Sequence, residues 1–160
     1  MLKLGSHSAT EFSGVRIHPT VVDRILEGVA VLLVVAFWAC AVWVYFHVED
    51  KVTANSSFLY AGLGTLVFLL MGVSAYFPIR FVRFPVRITE RNVATQFFLV
   101  TRMVRVQNIM IALLFSVLIF SKVEMGFGIP QGLCSKLMVG VSCLMVMVMV
   151  VYNVLAFKYK

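Results

Sequence analysis

Four long apolar runs, none containing a charged side chain, set the layout of the chain: residues 28–46, 58–77, 106–121 and 137–157. A helix rises ~1.5 Å per residue, so about 20 apolar residues cross a hydrocarbon core of ~30 Å. Backbone groups inside lipid find no water, and a helix satisfies them internally. The pattern predicts an all-α, integral membrane four-helix bundle. Residues 1–20 read as a polar, mobile tail and residues 21–160 as a single four-span domain.

Punctuation between the runs sharpens these boundaries. Thr20 can cap the first helix, and Asp23 places an acid in its first turn, where the helix dipole favours it. Residues 47–57 (HVEDKVTANSS) read as a short polar turn, and Pro78 closes the second run. Pro85 confines Phe84 to extended backbone, so no helix is expected around it. Thr89 and Glu90 repeat the cap-and-acid signal of a helix start. Beyond them Val93, Phe97, Val100 and Val104 recur at helical spacing. Arg91, Arg102 and Arg105 fall within about 60° of one another at ~100° per residue. No Gly or Pro precedes the third run, so this amphipathic helix is expected to be continuous with it, roughly 30 residues in all. Gly126, Gly128, Pro130 and Gly132 make residues 122–136 a turn-rich loop. Small residues at Ala36, Ala39 and Cys40, and at Gly62, Gly64 and Gly72, predict close helix approach. Met138, Met145, Met147 and Met149 give the last span a soft surface.

Composition agrees: 61% of the residues are apolar, 13% are charged and the mean hydropathy is +0.97. A soluble domain could not cover its surface with so few charges. The net charge of +7 does not indicate nucleic acid, because the basic residues sit at the edges of apolar runs. Anionic lipid headgroups are the expected counter-charge. Topology follows from Lys and Arg. Lys3, Arg16 and Arg24, six arginines in residues 77–107, and Lys158 and Lys160 make eleven on one side, against Lys51, Lys122 and Lys136 on the other. The positive-inside rule then expects both termini and the basic segment in the cytoplasm.

Candidate chemistry concentrates in that segment, whose only acid is Glu90. Arg80, Arg83 and Arg87 alternate with Phe81, Val82, Phe84 and Val86, as if apolar groups met acyl chains while arginines met phosphates. Arg91, Arg102 and Arg105, with Gln96 and Thr101, form a candidate anion or partner site; the plainer reading is a lipid anchor. Asp23 and Glu27, four apart, can pair with Arg24 or with loop arginines. His47, Glu49 and Asp50 read as solvated rather than metal-binding, and no cofactor site is expected. Cys40 and Cys143 read as packing residues and Cys134 as an exposed thiol; no CxxC spacing occurs. No Asp, Glu, Lys or Arg lies inside a run, which argues against a proton-coupled transporter, and the lack of a paired acid–base set argues against an enzyme.

Residues 86–105 (VRITERNVATQFFLVTRMVR) resemble the pattern PVxITEENAxRQYxxATRMIR of a bacterial family of small membrane proteins. That domain forms the N-terminal half of SdpI-type toxin-immunity and signal-transduction proteins. Pro85, Val86, Ile88, Thr89, Glu90, Asn92, Gln96, Thr101, Arg102, Met103 and Arg105 carry the likeness. Asp23, Ile25, Leu26, Glu27 and Trp38 fit the family's D-x-ILE start and first span. The family's outer-loop Pro-x-His-Phe-Asn-x-x-Gly motif is missing here, and so is the further helical half of full immunity proteins. The resemblance implies a non-enzymatic inner-membrane protein that binds a partner in immunity or signalling, alone or as a homo-oligomer. The competing expectation, from another class, is a small oligomeric transporter or channel.

Overall fold

The computed structural model describes residues 7–8, 19–77, 81–127 and 132–159. Four helices dominate them: α1 (Val21–His47), α2 (Lys51–Ser74), α3 (Val93–Phe127) and α4 (Gly132–Lys158). Each is long and apolar enough to cross a membrane. Leu32, Phe46, Leu59, Leu70, Val139 and Val146 are each more than 60% exposed. Apolar surface on that scale has lipid as its solvent. The chain is a multi-pass integral membrane protein.

Local chemistry explains the helix ends. Thr20 and Asp23 form a reciprocal capping box at α1: Asp23 Oδ2 accepts the Thr20 N–H at 2.8 Å, and Thr20 Oγ1 accepts the Asp23 N–H at 3.4 Å. α2 begins about two turns before the uncharged run, so the expected 47–57 turn shrinks to Val48, Glu49 and Asp50. The cause is Asp50, an N-cap whose carboxylate accepts N–H groups from Val52 at 3.1 Å and Thr53 at 3.2 Å. α3 starts at Val93, later than expected, after a turn tied by Asn92. The Asn92 side chain accepts the Thr89 N–H at 2.8 Å and donates to the Arg87 carbonyl at 3.0 Å. α3 then runs without a break through residues 103–108 for 35 residues, roughly 50 Å, well beyond a ~30 Å core.

The tail is not free along its whole length. β1 (His7–Ser8) pairs antiparallel with β2 (Arg83–Phe84), His7 opposite Phe84. Phe84 is extended, as Pro85 requires. Its ring, however, is buried against Val93 and Phe97, with Val82, Ile88 and Val100 around them. Phe84 and Val86 thus pack inside the protein rather than at the acyl boundary. Pro78, Pro130 and most of the tail lie outside the described residues.

α3 is the hub: α1, α2 and α4 all pack on it, and α1 also packs on α2. Phe37 and Ala41 of α1, Ala61 of α2 and Ile119 of α3 meet in a fully buried cluster. α1 presents Ala30, Phe37, Ala41 and Val44 inward, a helical seam that leaves Ala36 and Ala39 facing outward. Close approach is made instead at Ala41 and Ala61. Among the described glycines only Gly64 is pressed, since a Cβ there would lie 2.8 Å from the Phe115 ring; Gly62 has nothing within 4 Å. α4 is peripheral and buries only Cys134 and Ala156. Cys40 packs against the buried cluster as expected, but the other two cysteines reverse, with Cys134 buried and Cys143 exposed, because Cys134 falls on the side of α4 turned into the protein while Leu133 and Ser135 beside it are exposed.

Two outcomes follow. Gly64→Ala should lower the thermal unfolding temperature in detergent, because Phe115 must shift, whereas Gly62→Ala should be neutral or gain up to ~1 kcal/mol from helix propensity. A larger loss at Gly62 would contradict this packing. The hydrogen bonds from the Thr53 side chain and from the Val52 and Thr53 amides hold the Asp50 carboxyl below its ordinary value. Its cap is therefore complete above the unfolded-state value of about 3.9 and is lost as pH falls through the lower folded value. Amide-exchange protection at Val52 and Thr53 should fall between pH 5 and pH 2, and should stay level in Asp50→Asn.

Candidate functional site

The residues expected at an exposed basic face divide into two sets. Arg102 and Arg105, three apart on α3, turn toward α1. There they meet Asp23 and Glu27, four apart on the facing side of that helix. Arg105 Nη1 lies 3.1 Å from Asp23 Oδ1, and its Nε donates to Glu27 Oε1 at 2.8 Å. Arg102 Nε lies 3.5 Å from the same Asp23 oxygen. Both approaches to Asp23 Oδ1 are charge contacts rather than aligned hydrogen bonds. Tyr76, just past α2, donates its hydroxyl to Glu27 Oε1 at 2.6 Å, and its ring lies 5.7 Å from the Arg105 guanidinium. α1 and the end of α2 therefore converge on one arginine of α3.

Burial separates the two arginines. Asp23 is 1% exposed and Arg105 8%, while Arg102 is 36% exposed and rests on the Phe98 ring at 4.1 Å. Arg24, the other cation proposed for these acids, is exposed and takes no part. The cluster holds two acids and two arginines, so its formal charge is zero.

Gln96 and Thr101 do not join it. Gln96 is fully buried and donates to the carbonyls of Ala156 at 2.9 Å and Tyr159 at 3.2 Å, closing the end of α4. Thr101 bonds back to the Phe97 carbonyl of its own helix. Gln107 repeats the α4 contact at mid-helix, donating to the Met145 carbonyl at 2.8 Å. Arg83, Arg87 and Arg91 are exposed and make no ion pair with the described residues. Arg80 lies outside the described residues. Among the described residues no three His, Cys, Asp or Glu side chains gather at metal-binding distance. These contacts also put the start of α1, the end of α4 and residues 83–105 at one end of the bundle.

Sequence reasoning missed Tyr76, which lies at the end of an apolar run with only its hydroxyl to mark it. It also missed the burial of Gln107 and Asn108, at the start of the third run. Their signal was present: amides inside a long apolar helix usually face a neighbour helix. No family model, curated protein or solved structure matches the chain.

Removing one partner from a buried ion pair strands the other, at a cost of ~3–5 kcal/mol, whereas an exposed pair contributes under ~1 kcal/mol. Arg105→Met should therefore lower thermal stability far more than Arg102→Met. Adding Asp23→Leu to Arg105→Met should recover part of the loss. Helicity followed during unfolding in detergent reads both effects, and equal losses at the two arginines would contradict the arrangement.

Proposed function

We propose that the chain is a non-enzymatic protein of a bacterial cytoplasmic membrane that works by binding a partner at its cytoplasmic end, in the manner of immunity or signalling proteins. Both termini and the basic segment lie on the cytoplasmic side in this reading. Eleven basic residues against three support that orientation, as does the gathering of the start of α1, the end of α4 and the basic segment at one end.

One observation carries the reading. Asp23 and Glu27 neutralise Arg102 and Arg105, whereas Arg83, Arg87 and Arg91 stay exposed without an ion pair among the described residues. These three present guanidinium forks suited to carboxylates or phosphates. Arg105 belongs to the scaffold of this surface rather than to its contact face.

A photo-crosslinking side chain at position 90, which is exposed between these arginines, tests the proposal in native membranes. A crosslinked protein partner should appear, and should fall several-fold when Arg83, Arg87 and Arg91 are replaced by lysine, which keeps charge but loses the fork. Crosslinks to lipid alone, unchanged in the lysine variant, would reduce the surface to a lipid anchor. Labelling of a cysteine at position 90 from the outer side would overturn the orientation. Solute or ion flux through the purified protein in liposomes would favour the channel reading instead.

A further inference from the structure

At the buried cluster α1 and α2 touch through Phe37, Ala41 and Ala61, yet toward the Asp23 end they part. A cleft of roughly 180 Å³ opens there, walled by Ala30 and Val31 of α1 and Phe68 and Met71 of α2, with Val104 of α3 as its floor. Val31, at its mouth, is half exposed, so the cleft faces the same lipid as the outer sides of both helices. We infer that this cleft seats one chain of an aminophospholipid, whose ammonium is received by Glu27 Oε2 and whose ester carbonyl accepts from Asn108 Nδ2.

Glu27 provides the first point of recognition. Its Oε1 accepts both the Arg105 Nε and the Tyr76 hydroxyl, while Oε2 makes no hydrogen bond among the described residues. The side chain is 34% exposed, so this oxygen is open at the rim. A carboxylate oxygen beside an apolar cleft takes a charged donor best, and an ammonium brings three N–H groups. Asn108 provides the second point. Its amide oxygen is sealed inside the protein, whereas its nitrogen lies toward Gly72 on the cleft wall and makes no hydrogen bond among the described residues. That nitrogen is a donor and calls for an acceptor. Gly72 precedes Tyr76 by four residues, which sets this donor about 6 Å deeper than the rim carboxylate. A phospholipid presents head and ester in that order.

Charge and size narrow the choice. Asp23, Glu27, Arg102 and Arg105 sum to zero, so a lipid with net charge gains nothing from the cluster and a zwitterion leaves it balanced. The phosphate also finds a cation. Arg24 is exposed without an ion pair among the described residues, and spacings of three and seven put it on the same side of α1 as Glu27 and Val31. At ~30 Å³ per water-sized group the cleft takes about six methylenes, the first part of one chain. The remainder continues over the exposed side chains of Val31 and Val35.

The test offers the full chain, in neutral detergent, equal amounts of ester-linked phosphatidylethanolamine and phosphatidylcholine with identical acyl chains. Native mass spectrometry then counts the lipid retained. Phosphatidylcholine carries the same charges but has no N–H to donate. Phosphatidylethanolamine should be retained about tenfold better, the worth of one charge-assisted hydrogen bond. Its diether analogue, which lacks the ester carbonyls, should fall several-fold below it. Glu27→Gln keeps an acceptor for Arg105 and Tyr76 but loses the free carboxylate oxygen, and should bring the two heads level. A Cβ at Gly72 meets only the Asn108 Nδ2, at 3.6 Å, so the side chain of Gly72→Leu enters the cleft and should remove the preference. Gly62→Leu, where a Cβ meets nothing within 4 Å, should leave it unchanged. Equal retention of the two lipids by the wild type would overturn the inference. So would a preference that survives in Gly72→Leu. The wild-type lipid comparisons need no variant, and Gly72→Leu alters no charge, so a loosened α1 in Glu27→Gln leaves the test intact. The site shares no residue with Arg83, Arg87 and Arg91, so its failure leaves the partner-binding reading untouched.

Discussion

A guanidinium removed from water is the constraint on which the arrangement depends. Arg105 is nearly buried at one end of the bundle, and its charge has to be answered within the protein. Asp23 and Glu27 answer it from α1, one turn apart. Because one side chain meets both acids, α1 cannot slide or rotate against α3 without breaking a charge contact. The same Asp23 closes the capping box with Thr20, so the first turn of α1 and its register against α3 are fixed together. Tyr76 extends the hold to the end of α2. A buried ion pair adds little net stability, but it penalises wrong registers heavily. Specificity is what this cluster contributes.

Elsewhere α3 uses amides in the same role. Helices already in lipid gain little from burying apolar side chains against one another, so shape and polar contacts decide how they associate. The core of α1, α2 and α3 relies on shape: Phe37 against Ala41, Ala61 and Ile119, and Gly64 beneath Phe115. α4 buries almost nothing and is attached by Gln96 at its end and Gln107 at its middle. Each such interhelical bond is worth about 0.6–2 kcal/mol. α4 packs chiefly on α3, whereas α1 and α2 also pack on each other.

The spans were legible because a charge-free run of about 20 residues has few alternatives to crossing a bilayer. The unbroken α3 was legible for a similarly plain reason, the lack of any Gly or Pro between Thr89 and the third run. Which apolar residues face protein was not legible. In water an apolar stripe marks the core, but in lipid both faces of a helix are apolar and the stripe disappears. Ala36 and Ala39 could not be told from Ala41, nor Gly62 from Gly64, without knowing what stands opposite. The start of α2 was hidden because Lys51 and Asn55 look like a turn until Asp50 is recognised as its cap. Within the site, helical spacing put Arg102 and Arg105 on one face and paired Asp23 with Glu27. That these two faces meet each other is long-range information, held across 78 residues.

The division of the arginines has a structural consequence. Had Arg102 and Arg105 remained unpaired, every cation at this end would have added to one diffuse field, and binding an anion there would have disturbed the helix register. With the pair neutralised by Asp23 and Glu27, the excess charge rests on Arg83, Arg87 and Arg91, outside the ion-paired cluster. Phe84, between Arg83 and Arg87 in sequence, anchors that segment through its buried contacts with Val93 and Phe97 at the start of α3. The exposed cations are thus held on a fixed base while their charges face outward. An anionic group bound there, as proposed above, would leave intact the contacts that hold α1 to α3.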